Sequence, residues 1–226
     1  MKIEKIVYFD EPGVKNTDET LRLAKERAEA LGIKDIVVAS RTGTTGIKAC
    51  EAFRGYNLVV VRHHTGWSKP GFQDMSEESE KTLIKNGAKI LTATHCLSGI
   101  ERAIRFKRGT VGFLEVMADT LRLFGQGVKV CIEIAIMTAD AGLIPINKEI
   151  IAIAGTANGA DTALVLSPAH SEHFFDLAVR EIIAIPREKN YYCSKCGGKL
   201  RYSHKLQINI CNNCGMTFTT QQLANL

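Results

Sequence analysis

Residues 35–64 read DIVVASRTGTTGIKACEAFRGYNLVVVRHH, and no other stretch restricts the fold as tightly. Ile36 to Ala39 and Leu58 to Val61 are short apolar runs rich in β-branched residues, the pattern of strands covered on both faces of a parallel sheet. Between them lie a polar loop, Ser40-Arg41-Thr42-Gly43-Thr44-Thr45-Gly46, and a helical stretch. Strand, loop, helix and strand in this order call for a layered α/β protein.

The loop carries the functional information. Where a strand ends and a helix starts, several backbone N–H groups are unpaired and point the same way, and the helix dipole adds partial positive charge. A phosphate group fits there. Two glycines make the turn, and a single hydroxyl from Thr44 or Thr45 would suffice as a cap. The loop has four hydroxyls and an arginine, so it is read as an anion site. No Gly-Lys-Ser/Thr follows, which excludes a Walker loop, and the glycine spacing is not that of a dinucleotide turn. The expected ligand is a phosphorylated small molecule.

With 226 residues, 45% hydrophobic and 23% charged, the chain can bury one good core and carry a small appendage. The start, MKIEKIVYFD, alternates charged and apolar residues into a strand and is no signal peptide. The longest apolar run, after Gly127, is interrupted by Lys129, Glu133 and Asp140, so no membrane span is expected and a cytoplasmic location follows. The three charged residues fall at near-helical spacing and are expected to form a solvated line with an i,i+4 pair.

Along the chain, Lys2 to Phe9 is the first expected strand, and Asn16 with Glu19 resembles a capping box ahead of a helix that Gly32 stops. After the central unit come a long loop, His63 to Met75, with the only tryptophan, a helix started by Asp74 with Glu77, and a strand from Lys89 to Thr94. Gly99 to Gly125 is expected to be mostly helical, with Leu114, Met117, Ala118, Leu121 and Phe124 as its apolar face. A deeply packed helix follows the Gly-Gln-Gly turn. Strands at Glu149 to Ala154, Ala163 to Leu166 and Ala178 to Pro186 complete a mainly parallel sheet flanked by helices, with antiparallel pairing late in the chain. Ligands of such sheets sit beyond the strand C-termini, where Ser40 to Gly46, His63, His64, Thr94, His95 and the second small-residue loop, Gly155 to Thr162, collect.

Those residues carry a resemblance. VVASRTGTTGIKACEAFRGYNLVVV resembles the C-terminal regulatory domain of pyruvate kinase, in which a strand, a Thr/Ser-x-Ser/Thr-Gly loop and a helix hold the phosphate of a sugar-phosphate effector. Ser40, Thr42, Gly43 and Thr45 stand at the matching positions, while Thr44 falls where the kinases often have a basic residue. VRHHTGW, TATHCLSGIERAIRF, FGQGVKVCIEIAIMTADAGLIP and AIAGTANGADTALVLSPAHS are similar to a family of mainly archaeal stand-alone proteins with a pyruvate kinase C-terminal-domain-like fold, some of them associated with FMN. The resemblance implies FMN bound at the Ser40 to Gly46 loop, its phosphate on Thr42 to Gly46 and its ring near His63, His64, Thr94 and Gly155, with the loop of Thr156 and Asp161 offered to the ligand, for example to its ribityl hydroxyls. A flavin-dependent oxidoreductase or a non-enzymatic sensor of a phosphorylated metabolite follows from it. The kinase's catalytic barrel does not fit in this length, which excludes pyruvate kinase activity.

Each residue also has an ordinary reading. His63 and His64 serve equally as hydrogen-bonded structural histidines, Trp67 as a surface anchor, and Asp161 as a partner of its own turn. His95 beside Cys96 suggests a thiolate-imidazole pair, but no third group orients it. Cys50 and Cys131 fall on apolar helix faces and are read as core.

The seven cysteines fall in two populations. Cys193-x-x-Cys196-Gly and Cys211-x-x-Cys214-Gly, fourteen residues apart, have zinc-ribbon spacing and define an expected second unit over 187–226, after an α/β unit over 1–186. One structural zinc ion is the implied metal. The whole formal charge of +5 lies in this tail, six basic residues against Glu188, while the remainder is neutral. Nucleic acid, protein or a second copy of the chain are therefore partners the ribbon could serve.

Overall fold

The structure, a computed structural model, describes residues 3–187, 200–203, 208–211 and 213–219. Its centre is a sheet of seven strands: β1 (Val7–Phe9), β2 (Asp35–Ala39), β3 (Asn57–Arg62), β4 (Lys89–Thr92), β5 (Ile150–Ala154), β6 (Thr162–Ser167) and β7 (Ala178–Pro186). Their spatial order is β1-β7-β6-β5-β2-β3-β4. All run parallel except β6, which is antiparallel to both β5 and β7.

The alternation of side chains along each strand explains the two apolar runs of the central unit. Ile36 and Val38 of β2, Leu58 and Val60 of β3, and Ile151 and Ile153 of β5 enter one core. Val37, Val59, Val61, Ala152 and Ala154 enter the other. The interior of both strands is therefore buried on either face, and β-branched residues fill both pleats. The first core is covered by α1 (Thr17–Leu31), α2 (Thr44–Ala52) and α3 (Glu77–Lys85), through Leu21, Ala24, Ala28, Ala49, Cys50 and Leu83. The second is covered by α6 (Gln126–Asp140), of whose fifteen residues twelve are buried. Two amphipathic helices, α4 (Gly99–Arg108) and α5 (Phe113–Arg122), connect β4 to α6.

Several expected local features are corrected. Asn16 does not cap α1; its side-chain amide donates to the Glu11 carbonyl at 2.7 Å. The helix after the long loop is capped by Ser76, which accepts from the Ser79 amide at 3.2 Å, and Asp74 stands outside it. Of the charged line on α6, Asp140 is exposed and the expected i,i+4 pair forms, but Lys129 and Glu133 are buried as an ion pair of 2.6 Å rather than solvated. Phe124 is exposed and does not share the packed face of Leu114, Met117, Ala118 and Leu121.

Beyond β7 a second, three-stranded antiparallel sheet, β10-β9-β8, is formed by β8 (Leu200–Ser203), β9 (Ile208–Cys211) and β10 (Thr217–Thr219).

Candidate functional site

The chain leaves β2 toward β3 and β4, then returns through three helices to place β5 on the other side of β2. The connections diverge between β2 and β5, and a crevice opens there beyond the strand ends. A cavity of about 460 Å³ occupies it, walled by the β2–α2 loop, the ends of β3 and β5, and α4, α5 and α6. That volume falls within the range of small-molecule pockets, ~300–1,000 Å³.

The β2–α2 loop is shaped by its own backbone. Gly43 has φ +99°, and a Cβ there would lie 2.5 Å from Cβ of Ser79. The buried Ser40 hydroxyl accepts from the Gly46 amide at 3.0 Å and closes the first turn of α2 from within. The amides of Arg41 to Thr45 make no hydrogen bond among the described residues, and Arg41, Thr42, Thr44 and Thr45 line the cavity. Loop N–H groups and the α2 dipole thus converge on one wall. Arg41 forms no ion pair among the described residues.

On the facing wall lies an array that sequence reading missed. Glu133 accepts from Lys129 Nζ at 2.6 Å and from the Leu97 amide at 3.1 Å, and its Oε2 meets His95 Nδ1 at 3.3 Å. The hydrogen bonds and the Lys129 charge outweigh burial and hold the Glu133 carboxyl down to about 2. A carboxylate facing Nδ1 requires that nitrogen to carry a hydrogen, so in the neutral imidazole the lone pair is on Nε2. His95 Nε2 is buried and has no hydrogen-bond partner among the described residues. It stands in the cavity wall as an unengaged hydrogen-bonding atom. Cys96 is not its partner: burial pushes that thiol up to about 12, so no thiolate forms near neutrality.

Trp67 lies against this array. Its ring centroid is 4.3 Å from that of His63 and 4.9 Å from that of His95, and the Arg102 guanidinium stacks on it at 4.3 Å. Burial first, then the nearby His95 and Arg41, draw the His63 imidazole down to about 4, against the opposing pull of Asp74, whose carboxylate meets Nδ1 at 3.0 Å. Arg102 has no carboxylate partner among the described residues. By contrast Arg105 pairs with Glu115, and Arg122 with Asp119 at 2.7 Å.

The expected site residues divide clearly. Ser40, Arg41, Thr42, Thr44, Thr45, His63 and Gly155 line the cavity. Gly43, Gly46, His64, Thr94, Thr156 and Asp161 are not in its walls, although Gly43 and Gly46 shape the loop and the His64 ring packs on Trp67 at 5.4 Å. Asp161 is wholly buried and binds its surroundings, accepting from the amides of Gly13 at 2.9 Å and Thr156 at 3.0 Å and from the Thr162 hydroxyl at 2.8 Å. Its role is to pin the β5–β6 loop to the start of α1.

Residues 18–166, two thirds of the chain, match the family described as pyruvate kinase, alpha/beta domain. The chain belongs to that family. Among solved structures it is similar to a pyruvate kinase from Cryptosporidium parvum, and to the Cryptosporidium parvum enzyme in complex with ADP. Each is 14% identical at a TM-score of 0.34, over 68% of this chain and 23% of that one. The chain spans less than a quarter of the length of those enzymes. In this pyruvate kinase alpha/beta domain the family match covers the β2–α2 loop, the His95–Glu133–Lys129 array and the β5–β6 loop, and of the cavity wall only Val14 and Thr17 fall outside it.

The metal candidates lie elsewhere. Cys211 and Cys214 stand at the end of β9 and in the turn after it, and the Cys211 sulfur accepts from the amides of Asn213 and Cys214 at 3.4 Å each. Cys193 and Cys196 fall outside the described residues. Among the described residues no three potential metal ligands come together.

Proposed function

We propose that this chain binds a phosphate ester, with FMN the ligand its cavity suits best. The observation that carries the reading is the set of unengaged amides from Arg41 to Thr45, opening with Arg41 onto a cavity of about 460 Å³. A dianionic phosphate takes charge-assisted bonds from such a loop, and a planar ring fits the wall of Trp67, His63 and Gly155. FMN would supply a ring able to exchange a hydride. The protein's own part is placement: Arg41 and the loop amides bind the phosphate, while His95 Nε2 accepts a hydrogen bond or proton from a ring or second reactant beside it.

Trp67, the only tryptophan of the chain, reports the test directly. Titration with FMN is expected to quench its fluorescence saturably and raise the melting temperature. Inorganic phosphate should compete. Arg41→Ala should weaken FMN by about 10- to 100-fold, the loss of one charged hydrogen bond. A protein that takes up neither FMN nor millimolar phosphate removes the reading.

The second unit is proposed to hold one zinc ion on Cys193, Cys196, Cys211 and Cys214. A cysteine sulfur that receives two backbone N–H bonds from the turn after it is already dressed as a thiolate ligand, which supports this assignment.

A further inference from the structure

Of the seven lysines and arginines in the described wall of the cavity, five hold carboxylates. The other two are Arg41, on the β2–α2 loop, and Arg102, on α4. Arg102 is half-buried, and its neighbour Arg105 adds a like charge, so burial and repulsion both press on a cation with no carboxylate beside it. His95 is a second uncommitted group. It is 9% exposed, Glu133 meets its Nδ1, and its buried Nε2 has no hydrogen-bond partner among the described residues. Protein interiors seldom leave such an atom unpaired. One side chain lies against both groups. The Trp67 ring centroid is 4.3 Å from the Arg102 guanidinium and 4.9 Å from that of His95, the nearest of three rings packed on this imidazole. The indole N–H makes no hydrogen bond among the described residues, and Trp67 rides on the connection over 63–76, which contains neither helix nor strand. Ring and cation contacts hold it there.

We propose that Arg102 and His95 are the two halves of a seat for a small 2-hydroxycarboxylate, opened when the Trp67 ring turns aside. A guanidinium offers paired N–H groups in its own plane, and they match the two oxygens of a carboxylate. A hydroxyl on the next carbon both donates and accepts, so it satisfies Nε2 whichever protonation state the imidazole holds. Arg102 and His95 stand no farther apart than their two distances to Trp67 together, a span that such an acid bridges with one hydrogen bond at each end. A phosphate would be poorly served, because one guanidinium and one ring nitrogen leave most of its oxygens unmet. The seat is separate from the β2–α2 loop and stands whether or not that loop takes a phosphate ester.

Isothermal titration of the full chain with glycolate, acetate and inorganic phosphate tests it. Glycolate is expected to bind with a dissociation constant of about 1–10 mM, as suits so small a ligand, and to move Trp67 emission to longer wavelength as the ring meets water. Acetate lacks the hydroxyl and should bind about 10-fold more weakly. Arg102→Gln should weaken glycolate by about 10- to 100-fold with the circular-dichroism spectrum and phosphate binding unchanged. His95→Phe should abolish the preference for glycolate over acetate while acetate still binds. A chain that takes up no glycolate at ~100 mM overturns the proposal. So does glycolate that phosphate displaces, that binds Arg102→Gln as well as it binds the unaltered chain, or that binds no more tightly than acetate.

Discussion

Lys129 and Glu133 illustrate how a residue pair can be read correctly in spacing and wrongly in environment. At i and i+4 on a helix they suggest a surface pair worth a few tenths of a kcal/mol. The cavity wall instead buries both, so the balance is between desolvation and the bonds from Leu97 and His95. Lys129→Met leaves the Glu133 carboxylate without its cation and is expected to cost about 3–5 kcal/mol in urea unfolding. Lys129→Met with Glu133→Leu should recover most of that loss, because no charge remains buried. Two histidine-and-carboxylate windows also set the pH dependence. His63 is held down to about 4, from an ordinary 6.5, so the unfolded chain takes up its proton first. Its contribution is complete above 6.5 and is lost as pH falls to 4. Glu133, held down to about 2 from 4.5, contributes fully above 4.5 and loses its share as pH falls toward 2. A melting-temperature profile should therefore fall in two steps on acidification, and His63→Gln should remove only the upper one.

Among the elements, what the sequence disclosed depended on whether a neighbour in the chain decides the outcome. The strands β2 and β3 are written in consecutive β-branched residues because both faces are covered locally by the unit's own crossover helix and by α6. The anion loop is likewise local, set by Gly43 and Ser40 within one turn of α2. The histidine array was hidden because its members come from residues 38 apart, His95 and Glu133. Its one sequence signal was a carboxylate in a helix otherwise apolar on most sides. Arg102 and Arg105 were equally hidden, since arginines on an amphipathic helix read as a solvated face until the fold turns them inward. Within the loop, stability and ligand affinity separate. Ser40→Ala leaves the buried Gly46 amide unpaired and is expected to cost about 1–3 kcal/mol in urea unfolding. Thr42→Ala, at an exposed position, should change stability by less than about 0.5 kcal/mol while weakening inorganic phosphate in the same titration. Equal effects of the two substitutions on stability would contradict the division of roles.

Taken whole, the described residues form two sheets that bury very different amounts of apolar side chain. The α/β unit carries two continuous cores on the faces of its sheet, enough apolar burial to hold without any ion. In the second sheet, the described buried apolar residues are Leu200, Cys211 and Phe218. Three side chains cannot offset the ordering of even the described residues of that sheet. A bound metal, if it supplies the missing free energy, makes folding of that unit conditional on occupancy. Dialysis against a strong chelator should then bring the amides of β8, β9 and β10 to full hydrogen exchange, while the melting transition of the α/β unit stays where it was. Cys211→Ala should reproduce the chelated state, because it removes the proposed ligand and the acceptor of the Asn213 and Cys214 amides together. Elemental analysis before chelation should find one zinc per chain. Persistent protection of β8 to β10 after zinc is gone would mean that the small sheet is held by contacts other than a metal.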